Sequence, residues 1–386
     1  MTRATAALLI FGAAVVVAAE FVVIGLLPAM SADLKLEPAQ AGWLVTVFAL
    51  ASALLGPPLV AVTARLPTAP VLAAALLPFA GNLLLLAAPT FALAIGLRIL
   101  QGATLPLFMS LAGAQLGAAR GTGPGIALLY IGVTIGGTLA PPTGSFVADR
   151  LGWQVPIAAI GALASIGALG CLLQGKRSRT DRAGSPWRLL ARPAMRVHLL
   201  LSALTFAAMF AGFSYIALLL GQAGLGRDWT AAALLAFGLA GLAGNWLAGR
   251  LAIHALPATA GAALATAAMT LWIAASPGAP ALVLAVLGWG VAHAAGFVFC
   301  QVRVMDAAPH ASGFAGSLNI AAANVGIALG SFAGGRAIEL AGAGGAAGTA
   351  MAFALLTAVV AATCRLRNVI LPSSFRNRTE TGIAPD

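Results

Sequence analysis

The chain predicts an all-α membrane protein with twelve transmembrane helices in two pseudo-symmetric six-helix halves. Three observations predict it. The composition is 61% hydrophobic and only 8% charged, with mean hydropathy +0.99, where a soluble domain carries about 25% charged residues. The apolar residues form long runs rather than alternating ten-residue segments, which selects helices over a transmembrane barrel. Glycine pairs recur about half a chain apart: Gly132-x-x-x-Gly136 and Gly326-x-x-x-Gly330, each upstream of an acid–arginine pair, Asp149 with Arg150 and Arg336 with Glu339. Six spans, a basic stretch and six spans fit two parallel repeats with a site between them near the bilayer midplane.

The first run, about 6–29, is long enough at 1.5 Å per residue to cross a roughly 30 Å hydrocarbon core, and it is too long for a signal-peptide core, so it reads as a retained helix. It is apolar except for Glu20. The second run is about 40–63 and ends at Arg65; the third, about 68–88, holds Asn82. The fourth, about 91–117, carries Arg98 and Gln101 well inside. The fifth, about 122–147, is glycine-rich with Pro141 and Pro142 near its end, and the sixth is about 153–175. Residues 1–175 form the first half. The stretch 176–195 is a basic linker, read as a topology determinant or an anionic-lipid contact. The second half, 196–365, divides into runs at about 196–221, 229–252, 256–275, 279–304, 311–338 and 344–365. The tail 366–386 is polar and expected to be disordered.

Orientation follows from the cations. With the N-terminus in the cytoplasm, sixteen of the 21 Lys and Arg residues, Arg303 among them, fall on the cytoplasmic side and four on the other, with Arg98 inside the membrane. That bias places both termini in the cytoplasm. It also assigns the net charge of +11 to topology and excludes nucleic acid as the partner. Cys171, Cys300 and Cys364 fall in apolar helices at no metal spacing and read as buried small hydrophobes.

Glu20 is the leading candidate. A carboxylate at bilayer depth costs several kcal/mol, so it turns inward, is protonated, or both. One reading is a structural hydrogen bond to a neighbouring helix. The sharper reading is a proton carrier facing a central cavity, able to load, release and exchange a proton for substrate. Arg98 either snorkels to the near interface or acts as a fixed charge that pairs with Glu20 in one state. Asn319 and Asn324 serve as interhelical bonds or as cavity lining, and His293 as a helix–helix donor or a ligand. Gln101 and Asn245 are further polar cavity candidates. Tyr130, Phe213, Tyr215, Trp246 and Trp289 line an apolar pocket or anchor interfaces and seams.

Several stretches resemble the major facilitator superfamily, and more narrowly its twelve-span drug:proton antiporters, in the branch of arabinose-efflux and chloramphenicol-resistance permeases. Glu20-Phe21 with Gly25-Leu26-Leu27-Pro28 and Asp33-Leu34 is similar to the first-helix signature. Arg98, Gln101 and Gly102 match the fourth-helix motif. Gly132, Gly136, Gly137, Pro141, Pro142 and Gly144 resemble the fifth-helix antiporter motif. Ser214-Tyr215-Ile216-Ala217, Gly244-Asn245, Ser317-Leu318-Asn319-Ile320, Asn324, Gly326, Gly330 and Gly334-Gly335 carry the second half. The resemblance implies a proton-driven antiporter of the bacterial inner membrane, monomeric, with no cofactor beyond the proton gradient, in which the fifth helix seals the outer side of the cavity. The loop after the second helix departs from the family pattern: it keeps Arg65 but has no acid, and Ile253 and His254 stand where a second acid–Arg pair is expected.

The leading expectation is therefore a proton-coupled exporter of small apolar or amphiphilic compounds. The alternative is export of a sugar, nucleoside or amino-acid-type metabolite. A non-transporting membrane sensor is the reading from another class; it would call for an added soluble domain. Clustered metal ligands, a phosphate loop and a serine nucleophile elbow are all missing from the sequence, so it does not read as an enzyme.

Overall fold

The computed structural model describes residues 1–36, 38–174, 187–275 and 278–366. The helices are α1 (Arg3–Asp33), α2 (Pro38–Thr63), α3 (Thr68–Ala80), α4 (Phe91–Arg120), α5 (Thr122–Leu151), α6 (Gln154–Leu173), α7 (Pro193–Phe213), α8 (Arg227–Leu251), α9 (Ala255–Ala274), α10 (Ala279–Asp306), α11 (Ser312–Ala341) and α12 (Ala343–Leu366). Eleven described stretches are long and apolar enough to cross a membrane, and one of them, Trp229–Ala274, contains two helices. Hydrocarbon offers the backbone no partner, so each span satisfies its own N–H and C=O groups as a helix. The chain is a multi-pass membrane protein of two six-helix halves.

The turns are tight because specific residues permit them. Thr2 and Thr90 cap α1 and α4 by accepting from the amides of Thr5 (3.1 Å) and Leu93 (3.3 Å). Gly121 and Gly152, each at φ +86°, reverse the chain on either side of α5, a backbone region closed to most side chains. Consecutive helices therefore run antiparallel. The starts of α1, α5 and α11 and the ends of α4 and α10 share one end of the bundle, called here the Arg120 end.

Two elements differ from expectation. The seventh run is not one helix: α7 stops at Phe213 and resumes at Ile216–Gln222. At the break, the Ser214 and Ser331 hydroxyls are hydrogen-bonded (2.6 Å) and the Tyr215 hydroxyl donates to the Ser331 carbonyl (2.7 Å), so contacts with α11 stabilise the interruption. The third run ends as a 3-10 helix, Gly81–Leu86. The carbonyl of Pro78, in the turn before this tightening, instead accepts from the Gln101 amide (3.1 Å).

The glycine repeat explains how each half packs. A Cβ on Gly132 or Gly136 would collide with the carbonyl oxygens of Ile10 or Ala14 on α1. The same holds for Gly326, Gly330 and Gly334 on α11 against Ala203, Ala207 and Ala211 on α7. Backbone meets backbone in both halves, α5 on α1 and α11 on α7, through residues four apart. Gly144 meets Val22, whereas Gly137 has ordinary van der Waals room for a Cβ. Helix α5 runs unbroken through Pro141 and Pro142, and the Ser145 hydroxyl ties it to the Gly25 carbonyl (2.7 Å).

Burial shows which end is closed. On α11, Phe314–Asn319 are all buried, and on α10 so is every residue from Val298 to Met305. On α4, the same holds for Leu105–Gly113. These stretches lie towards the Arg120 end. Towards the other end, α5 buries only Gly136, Ala140, Gly144 and Ala148, and α11 only Ala323, Gly326, Gly330 and Gly334. Each helix there is covered on a single stripe. The halves are packed together at the Arg120 end and separate towards the opposite one.

Candidate transport site

The site begins on α1. Among the described residues, Glu20 is the one acid inside a span and away from a helix end. It is partly exposed, and among the described residues no hydrogen bond or salt bridge engages its carboxylate. Arg98 on α4 is 4% exposed and has not snorkelled to an interface. Its Nε donates to the Leu44 carbonyl (2.7 Å), Nη1 to the Ala19 carbonyl (2.9 Å) and Nη2 to the Glu20 carbonyl (3.3 Å). The ring of Phe48 lies under the guanidinium, 4.2 Å from its centroid. Among the described residues no Glu20–Arg98 salt bridge forms in this state: three backbone carbonyls on α1 and α2 take the guanidinium, and the two charges act on each other without contact. Arg98 fixes the backbone on which Glu20 stands and leaves the carboxylate free of direct contact while still within reach of the guanidinium charge.

Glu20 lies within electrostatic reach of the Tyr130 phenol on α5. Tyr130 sits at the seam: its ring meets Phe297 of the other half at 6.1 Å, and its carbonyl accepts from Asn245 Nδ2 on α8 (2.8 Å). Asn245 Nδ2 also donates to Thr134 (2.8 Å), while its Oδ1 is buried without a partner. A second cross-seam bond joins Asn324 Nδ2 on α11 to Ser52 on α2 (3.3 Å). Behind the seam, His293 is ringed by Phe210, Phe213, Phe237 and Phe297.

The other sequence candidates fall elsewhere. Gln101 is not in the cavity: its amide donates to Asn82 Oδ1 (2.7 Å) inside the first half. Asn319 takes the interhelical of its two expected roles: it is 1% exposed and bonded to Ser202 (2.6 Å) and Gln301 (2.6 Å). Tyr215 holds the α7 break. Trp246 lies on the outer surface with Arg250 stacked on it (3.7 Å). Arg65 is exposed at the end of α2. The residues 176–186 of the linker and 367–386 of the tail lie outside the described residues. Among the described residues the Arg336–Glu339 contact is an ion pair, whereas Arg150 turns to the Phe146 ring and carbonyl rather than to Asp149.

Sequence reasoning missed a buried cation. Arg303, assigned to the cytoplasmic side, is 4% exposed within α10. It donates to His198 Nδ1 (2.9 Å), the His198 carbonyl (2.8 Å) and the Ser202 hydroxyl (2.9 Å). Position near the end of an apolar run suggested an interface. The signal that it is buried lay in His198 and Ser202, a turn apart on another helix.

A family model described as Major Facilitator Superfamily matches residues 9–331. The chain belongs to the Major Facilitator Superfamily. Its similarity to a chloramphenicol resistance protein of Streptomyces lividans is 31% identity over 231 residues, 56% of this chain and 59% of that one. It is 29% identical over 242 residues to the purine ribonucleoside efflux pump NepI of Escherichia coli O6:K15:H31, covering 59% of each chain. The matched stretch thus spans less than two thirds of these relatives. Among solved structures, the proton:xylose symporter XylE superposes with TM-score 0.75 at 14% identity over 92% of this chain and 94% of that one. FucP in its outward conformation superposes with TM-score 0.73 at 17% identity over 95% and 99%. These likenesses establish the fold.

Proposed function

We propose that this transporter exports a small polar metabolite from the cytoplasm of a bacterium in exchange for protons, with Glu20 as the proton carrier. One observation carries the reading: a carboxylate inside a span, within electrostatic reach of the seam residue Tyr130, on backbone clamped by a buried arginine. Such a group can take a proton from one side and give way to a substrate hydrogen bond on the other. Moving one charge through 100 mV supplies about 2.3 kcal/mol, enough for well over a tenfold substrate gradient at about 1.4 kcal/mol per decade.

Export is supported by the two bacterial relatives, whose names describe efflux and resistance. The N-in orientation from the cation bias makes the Arg120 end cytoplasmic, so the closed end faces the cell interior and the open end faces out. A nucleoside pump among the relatives, and polar groups at the seam, favour a metabolite of sugar, nucleoside or amino-acid type over an apolar drug. The aromatic ring around His293, with the chloramphenicol relative, is what speaks for the drug reading. The test is proton-driven uptake into everted membrane vesicles from cells expressing the protein. Wild type is expected to accumulate a panel metabolite only with an imposed proton gradient, and Glu20→Gln to lose that dependence. Gradient-driven accumulation that survives Glu20→Gln would return Glu20 to a structural role.

A further inference from the structure

His293 carries a second inference, which rests on the seam being the substrate site. Its ring lies 4.7 Å from Phe213, 5.4 Å from Phe237, and 5.5 Å from both Phe210 and Phe297, centroid to centroid. It is 6% exposed, and its Nδ1 is buried with no hydrogen-bond partner. Leaving such an atom unsatisfied is costly, because it gives up its water without gaining a partner. A purely structural aromatic core would be better served by a leucine. Residues of α7, α8 and α10 converge to place this polar atom among four phenylalanine rings.

The cluster has an open face. Phe213 and Phe297 are only partly buried, and Phe297 meets Tyr130 across the seam. A flat ring laid against these partly exposed faces gains stacking, and its polar edge meets Nδ1 when the ring cluster parts to admit it. A saturated solute of equal size gains neither. Charge narrows the class further. Within the described spans the interior cations are Arg98 and Arg303, against the single acid Glu20. When Glu20 is protonated the interior is doubly positive, which opposes a cationic aromatic. We infer that the transported solute carries an uncharged planar nitrogen heteroaromatic ring, stacked on Phe213 and Phe297 and hydrogen-bonded at its edge to His293.

The experiment compares two panels in the same energised everted vesicles. One holds inosine, thymidine and nicotinamide; the other holds sorbitol, glutamine and N-acetylglucosamine, with the cation tetraphenylphosphonium beside them. The expected result is gradient-driven uptake from the first panel. In His293→Leu, the half-saturating concentration of that solute rises roughly tenfold, the scale of losing one good edge or stacking contact. His293→Asn, whose amide can sit where Nδ1 does, recovers most of it. Unfolding temperatures at or above that of the wild type show that the variants fold. Uptake confined to the second panel or to tetraphenylphosphonium overturns the inference while leaving proton-coupled export standing. Equal half-saturation in wild type and His293→Leu also overturns it. No gradient-driven uptake of any solute overturns both readings.

Discussion

Arg98 illustrates how little of a residue's role lies in its charge. The residue is planar and multidentate, and it uses that shape to bind three carbonyls on two helices at once. A lysine keeps the charge but cannot hold Leu44, Ala19 and Glu20 together. Arg98→Lys is therefore expected to lower stability by about 2 kcal/mol, the scale of losing one charged hydrogen bond, and to slow proton-driven transport. Thermal unfolding and vesicle uptake check both, and wild-type behaviour in both would remove Arg98 from the coupling account. Glu20 and Arg98 were legible as candidates because a charge inside an apolar run is conspicuous. Their geometry was not: a sequence shows that two opposite charges share a half, not that carbonyls outcompete a carboxylate. Gln101 was misjudged for a related reason, and of the two readings of Asn319 the interhelical bond is the one formed. A polar residue on an apolar helix serves a neighbouring helix or a cavity, and only the partner, Asn82 or Gln301, decides which.

At the scale of the element, the glycine ladder carries the fold's symmetry. Gly136 has the Ala14 carbonyl where its Cβ would stand, while a Cβ on Gly137 would make only ordinary van der Waals contacts. Gly136→Ala should destabilise by about 1–3 kcal/mol, the cost of overpacking a tight contact, and open a proton leak, whereas Gly137→Ala should be near neutral. Unfolding midpoints and the decay of a pH gradient in proteoliposomes measure the difference; equal effects would mean that the α1–α5 contact is not what the motif protects. The repeat was visible in the sequence because close backbone approach demands glycine at every fourth residue. The break at Ser214–Tyr215 was not visible, since neither residue is a helix breaker. The interruption is held by the α11 serine Ser331, which no local pattern announces.

For the whole molecule, the fold class and the two halves followed from composition and repeat, but the conformational state did not, because both states bury the same sequence. The all-round burial of α4, α10 and α11 at the Arg120 end means that transport must break that packing. Spin labels placed at Arg65 and His254, and at Phe146 and Leu340, report the two ends by dipolar distance. The substrate-free protein is expected to show the shorter, narrower distribution at Arg65–His254, with a transported solute shifting both pairs in opposite senses; movement in the same sense would contradict a rocking of two halves. Central to the account is that proton and substrate compete at Glu20. The direct measurement is proton release from the purified, detergent-solubilised protein when a transported solute is added, wild type beside Glu20→Gln. The account expects release in the wild type and none in the variant. Binding of the solute with equal release, or with none, in both proteins would contradict it.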